Sequence, residues 1–213
     1  MSCLLYSDAE IAVAIKPAGL VSEDGPAGES FMPLLREELG ASDLFPIHRL
    51  DKNVGGVMVY AKTGVAAAAL SAAVQNHEIE KVYLAKVHGI PSPPAGQMRD
   101  LLFFDTRKNK TFVVDRVRAG VKEALLSYET IQTEEEAAWV RVILHTGRSH
   151  QIRAQFASRK LPLFGDRRYG ARDGEGQIFL FSHRLSFSHP QTGETMTFSA
   201  LPPFADGAAL DLS

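Results

Sequence analysis

The chain has 213 residues, 45% of them apolar and 23% charged, with a formal net charge of −2. That is the balance of a soluble globular protein, long enough for one substantial domain or two small ones. No apolar run approaches the roughly 18 residues needed to cross a bilayer, and the N-terminus lacks the basic-then-apolar pattern of a signal peptide. A single cysteine, Cys3, excludes an intramolecular disulfide and a cysteine-based metal site. A cytoplasmic protein is the simplest reading.

Taken in order, Glu10 to Lys16 alternates into an apolar stretch that stops at Pro17-Ala18-Gly19, a turn signal. Ser30 to Leu39 reads as a short helix ending at Gly40. Gly56 to Ala61 reads as a strand and the alanine-rich run from Gly64 to Glu78 as a helix. Lys81 to His88 alternates with period two, which places Lys81, Tyr83, Ala85 and Val87 on one face. Pro91 to Gly96 reads as a loop. Short strands are expected near 100–104, 111–114 and 123–131, and Trp139 to Leu144 is strongly β. Ser149 to Ser158 reads as a helix, and Ile178 to Ser188 and Thr195 to Ser199 as strands around a turn at 189–193. Many strands with three helices, and no regular βαβ alternation, predict an α+β fold with a mixed, mostly antiparallel sheet. Without repeats or a linker, a single domain over 1–213 is expected.

The near-neutral net charge hides an uneven distribution. Segment 23–43 is acidic (Glu23, Asp24, Glu29, Glu37, Glu38, Asp43), whereas 145–172 is basic (Arg148, Arg153, Arg159, Lys160, Arg167, Arg168, Arg172). A second basic group is Arg107, Lys108, Lys110, Arg116 and Arg118. A polyanion could bind such a face, although a solvated surface would look the same in sequence.

Three segments carry candidate chemistry. His48-Arg49-Leu50-Asp51 sets a carboxylate beside an arginine at the entry to an apolar strand. That suits a nucleophile or general base, and equally a structural ion pair. Tyr83 is placed either to meet a nucleobase or to pack at the edge of a core. In the third, Leu144 to Arg153, helix spacing brings Ser149, Ile152 and Arg153 together, with Arg148 and His150 facing elsewhere. An inward Arg153 needs a carboxylate, and Asp51 is the natural candidate. The run Phe164 to Gly170, with Arg167 and Arg168, suits phosphate contacts. Nucleotide-binding loops, the H-E-x-x-H metal motif and the G-x-S-x-G elbow are absent.

Together these segments resemble the RluA-type RNA pseudouridine synthases. AIKPAGLVSE (14–23) is similar to the family's early Lys-Pro-Ala-Gly turn, and HRLDKNVGGVMVYAKT (48–63) to the motif holding its catalytic aspartate. KVYLAKVHG (81–89) resembles the tyrosine motif, LHTGRSHQIRAQFASRKLPLFGDRRYG (144–170) the arginine-motif helix and its loop, and LFSHRLSFSHPQTGETMTFSALPP (180–203) the closing strands. The chain departs at Val54-Gly55, where the family usually has Thr-Ser, and at Gln155, where it usually has His. Met1 lies almost directly before the catalytic segment, so no S4-type RNA-binding module is expected.

The resemblance implies a pseudouridine synthase catalytic fold, a few helices flanking the sheet and a central RNA-binding cleft. It implies isomerisation of uridine to pseudouridine in transfer or ribosomal RNA, with no cofactor or metal, no membrane association, and a monomer as the default. Asp51 would be the nucleophile, attacking either the ribose or the base. Arg153 would pair with it, since a nearby cation favours the charged carboxylate. Tyr83 would stack on the uracil, with Leu50 and Ile152 as apolar neighbours of the base. Arg49 would fill the place of the flipped nucleotide, and Arg148, His150, Arg167 and Arg168 would hold the RNA. The rival readings are an RNA-binding protein that keeps the fold without the chemistry, and a two-carboxylate glycoside hydrolase.

Overall fold

The computed structural model describes residues 3–26 and 28–205. In chain order its elements are β1 (Leu4–Ser7), β2 (Ile11–Lys16), α1 (Met32–Leu39), β3 (Phe45–Pro46), β4 (Gly55–Ala61), α2 (Gly64–Gln75) and β5 (Glu80–His88). They continue with β6 (Ala95–Asp105), β7 (Lys110–Val114), β8 (Val121–Thr133), β9 (Ala137–Leu144), α3 (Gln151–Ser158), β10 (Leu180–Ser188) and β11 (Thr195–Ser199). The fold is α+β, with mixed, mostly antiparallel strand pairing. The described residues fall into two compact units, those within 3–81 with 181–202, and 82–180 with 203–205.

In the first unit β4 is the central strand. It is buried at all seven positions, which is why its sequence reads as a continuous apolar run rather than an alternation. β2 pairs with it antiparallel and β10 parallel, while β1 lies antiparallel on β2 and β11 antiparallel on β10. α2 starts at Thr63, whose hydroxyl accepts the Ala66 N–H. Its Ala66 and Leu70 pack on Val57, Val59, Ile11, Val13, Leu185 and Phe187.

The second unit is an antiparallel succession in which β5 pairs β9, β9 pairs β8, β8 pairs β6 and β6 pairs β7. Helix α3 buries Gln151 to Phe156. Its Ala154 joins Leu102, Ala124 and Tyr169 in a small core.

Several boundaries differ from the sequence reading. α1 starts two residues late, at Met32, with Pro33 in its first turn, where a missing N–H costs nothing. α2 ends at Gln75, because His77 turns to φ 61° and breaks the helical path. The expected loop at Pro91–Gly96 is shorter, since Ala95 and Gly96 already pair with Glu129 and Tyr128. α3 begins at Gln151 rather than Ser149. His150 sits in the left-handed region at φ 51°, so the helix cannot extend back through it. Strands β1 and β3 went unread, being short and weakly alternating.

Gly56 has the tightest requirement in the first unit. It pairs with Ser182 across the parallel β4–β10 contact at φ 134°, and a Cβ there would overlap the Ser182 backbone. Gly56→Ala is therefore expected to destabilise the protein by about 3 kcal/mol or more, from strain added to overlap. Urea titration of the two proteins measures it, and equal midpoints would contradict this packing.

Candidate active site

Asp51 is partly exposed and lies in a turn just before β4, closed by the Val54 N–H donating to the Asp51 carbonyl at 2.9 Å. The backbone before it is pinned by one side chain. Ser22, 2% exposed, accepts the Leu50 N–H at 2.9 Å and donates its own hydroxyl to the Leu50 carbonyl at 3.0 Å. Behind the turn, the Gly19 N–H donates to the Lys52 carbonyl at 2.7 Å. The early KPAGLVS segment is thus the floor of the aspartate turn.

The floor contains a fully buried cation. Lys16 is 0% exposed, and its ammonium donates to the carbonyls of Pro17 (2.8 Å), Leu20 (2.7 Å) and Lys52 (3.4 Å). Burial lowers its pKa to about 8, with the nearby Asp51 charge opposing the fall. His48 is neutral for a similar reason, since burial, with Lys81 adding repulsion, pushes it down to about 3. Its Nε2 accepts the Val59 N–H at 3.4 Å, which leaves the proton on Nδ1. Val54 is 2% exposed, and a Cβ at Gly55 would lie 3.1 Å from the Lys16 carbonyl, so the Val-Gly pair suits a small, apolar space behind the turn.

Arg49 points outward and meets Glu23 at 3.1 Å. Leu50 is 7% exposed and packs inward. Tyr83 is 6% exposed on β5, opposite Val142 of β9.

In the second unit Arg153 is 5% exposed and bonded bidentately to Asp166, Nε at 2.7 Å and Nη2 at 2.9 Å. Asp166 is 1% exposed. Sequence reasoning offered Asp51 as the carboxylate for an inward arginine and missed Asp166, which sat in a run read as phosphate-binding. Gln151 was also missed. Its Oε1 accepts the Thr146 hydroxyl at 2.8 Å and the Arg148 N–H at 3.0 Å, while its Nε2 donates to the Leu125 carbonyl at 3.1 Å. These bonds close the HTGRS turn and aim α3.

Ile152 is 3% exposed beside Arg153. Ser149, expected on the helix with them, lies outside it, and its carbonyl accepts the Thr111 hydroxyl at 2.6 Å. Arg148 donates from Nε to the Glu123 carbonyl at 2.9 Å, and His150 Nδ1 lies 3.0 Å from the Tyr169 hydroxyl. Arg167 and Arg168 are exposed, donating to the carbonyls of Gly174 and Asn109. Gln155 is fully buried, and its Nε2 donates to the Met98 carbonyl and to Asp100. Among the described residues no cluster of three or more His, Cys, Asp or Glu could hold a metal, and no helix is long and apolar enough to cross a membrane.

Residues 10–158 match the family model described as RNA pseudouridylate synthase. The dual-specificity RNA pseudouridine synthase RluA of Escherichia coli is 32% identical over 209 residues, covering 94% of this chain and 93% of that protein. An uncharacterized RNA pseudouridine synthase of Aquifex aeolicus is 34% identical over 222 residues, covering 94% of this chain and 69% of that one. The solved structure of human RNA pseudouridylate synthase domain containing 4 superposes with a TM-score of 0.79 at 23% identity, over 94% of this chain and 89% of that one.

Two measurements test these charges. Asp166→Ala removes the bidentate partner of a buried guanidinium, and a loss of about 3–5 kcal/mol in unfolding free energy is expected; a loss below about 1 kcal/mol would mean the pair is not buried as described. For Lys16 the sign follows from its lowered pKa. Between its folded value of about 8 and its ordinary value of 10.5, the unfolded chain holds a proton that the folded chain has released. Stability of the wild type should therefore rise with pH across that window relative to Lys16→Met. Parallel pH profiles would show that Lys16 titrates normally.

Proposed function

The chain belongs to the RNA pseudouridylate synthase family and isomerises uridine to pseudouridine in RNA, and on that premise we propose that Asp51 is the nucleophile. The observation that carries the assignment is the turn itself. A partly exposed carboxylate stands on backbone held by Ser22 from one side and by Gly19 and Lys16 from the other. A nucleophile held this way loses little freedom at the reacting step.

The reaction breaks the bond between uracil N1 and ribose C1′ and forms one between C5 and C1′. N1 gains a proton and C5 loses one to water, so the balance needs no oxidant or reductant. Asp51 attacks either the ribose carbon or the uracil ring, making a covalent intermediate in both cases. In this proposal Arg153 partners the Asp51 carboxylate, using guanidinium geometry already set by Asp166. Tyr83 meets the uracil, with Leu50 and Ile152 as the apolar surround. The target base must leave its stack, and Arg49 enters the vacated space.

Phosphates are held by Arg148, His150, Arg167, Arg168 and the cations at 107–118. We assign the target to transfer or ribosomal RNA. The two compact units act as one catalytic domain, working as a cytoplasmic monomer, where cellular RNA is met.

Pseudouridine mapping on total RNA tests the assignment, using cells without the gene complemented by wild type or Asp51→Asn. A uridine modified with wild type and unmodified with Asp51→Asn, while the variant still binds RNA, is the expected result. Full modification by the variant would remove Asp51 from the nucleophile role.

A further inference from the structure

One aromatic side chain joins the basic hairpin to the arginine helix, and the proposed function gives it no role of its own. Tyr169 is 8% exposed, and its ring packs with Leu102 of β6, Ala124 of β8 and Ala154 of α3. Its hydroxyl accepts the Thr111 N–H at 2.7 Å and lies 3.0 Å from His150 Nδ1. Thr111 belongs to β7, which pairs with β6 on one side only, so this N–H faces away from the sheet and Tyr169 supplies its acceptor. The same ring lies 5.0 Å from the Arg153 guanidinium carbon and 5.0 Å from Lys110 Nζ.

Other bonds tie the same pieces together. Lys110 Nζ donates to the Arg168 carbonyl at 2.7 Å, and the Thr111 hydroxyl donates to the Ser149 carbonyl at 2.6 Å. The Tyr169 N–H donates to the carbonyl of Asp166, the residue that grips Arg153. At the hairpin turn Lys108 lies over the Phe112 ring, and from the connection between β7 and β8 Arg118 lies over the Phe103 ring, cations laid on aromatic faces.

We propose that Tyr169 is a positioning residue that seats the β6–β7 hairpin against the Arg153 guanidinium, so that hairpin seating and arginine placement are one linked state. The proposal rests on the role given to Arg153 above. Removing the hydroxyl alone keeps the ring and its packing but leaves the Thr111 N–H without an acceptor, which a buried amide tolerates poorly. The hairpin then seats elsewhere, and the cost appears where small displacements matter most, in the chemical step.

The test uses total RNA from cells lacking the gene, labelled with tritium at uracil C5, because the reaction releases that hydrogen to water. For Tyr169→Phe the release rate at saturating RNA should fall about ten-fold, a larger factor than any rise in KM, with the melting temperature lowered by only a few degrees. Thr111→Val, which deletes the second tether to Ser149, should show the same split. Arg107→Ala, at the hairpin tip, should instead raise KM alone. A Tyr169→Phe protein with higher KM and an unchanged saturating rate would overturn the proposal, as would one altered in melting temperature only. If Tyr169→Phe does not fold, an unchanged saturating rate in Thr111→Val overturns it.

An RNA-free readout separates this inference from the reading beneath it. The Arg153 Nε–H signal in nitrogen NMR should be protected in wild type and broadened in Tyr169→Phe or Thr111→Val. Wild-type protein that releases no tritium would sink the parent assignment; an unchanged arginine signal in both variants would sink this one.

Discussion

A guanidinium inside a protein has to meet a carboxylate, and much of the second unit is arranged around that constraint. Arg153 is charged at any accessible pH and too well buried for water to neutralise it. Asp166 answers with both oxygens on the Nε–Nη2 edge, which fixes the plane of the guanidinium as well as its charge. Asp166 is in turn held because its loop is folded back, with the Tyr169 N–H and the Ala171 N–H both donating to its carbonyl. The helix, the loop after it and the edge strand of the neighbouring sheet therefore share one electrostatic requirement.

The first unit solves a similar problem with backbone instead of side chains. Three carbonyls receive the Lys16 ammonium, and the Asp51 charge acts from nearby. Carbonyl dipoles satisfy the three N–H groups without cancelling the charge, which is why burial still lowers the pKa. A lysine in that position can hold the turn in shape while leaving the carboxylate oxygens to other partners. The Ser22 clamp on Leu50 has the same character, because it fixes main chain next to Asp51 and not Asp51 itself.

The sequence was readable where chemistry is written in contiguous residues. His48 to Asp51, Lys81 to His88 and Leu144 to Arg153 each carry enough local pattern to be placed on an element, and the strands they flank were found to within a few residues. What stayed hidden lies in long-range pairing. Asp166 is thirteen positions after Arg153 in a run dominated by arginines, so its own charge looked like surface balance. Gln151 reads as an ordinary helix residue until its side chain is seen closing the turn before it. Ser22 sits in a loop where a serine is unremarked, and its two bonds to Leu50 span 28 residues. The late start of α3 had no sequence signal either. A non-glycine residue at φ 51° is unfavourable on its own, and at His150 it coexists with a ring bonded to Tyr169.

Charge distribution explains how a chain of net charge −2 can work on a polyanion. The acidic segment near the aspartate turn is not a separate repulsive surface. Glu23 meets Arg49 at 3.1 Å and Glu29 meets Lys52 at 2.6 Å, so the cations flanking Asp51 already have anionic company. All four side chains are about half exposed, and pairs of that kind are worth on the order of 0–1 kcal/mol and weaken with salt. A phosphate taking the place of either glutamate therefore exchanges one weak, screened pair for another, and releases a carboxylate to water rather than stranding it. The buried Arg153–Asp166 pair lies at the other extreme, where breaking a desolvated bidentate contact is costly. The molecule thus separates its electrostatics by depth, with exchangeable pairs at the surface and fixed ones in the interior.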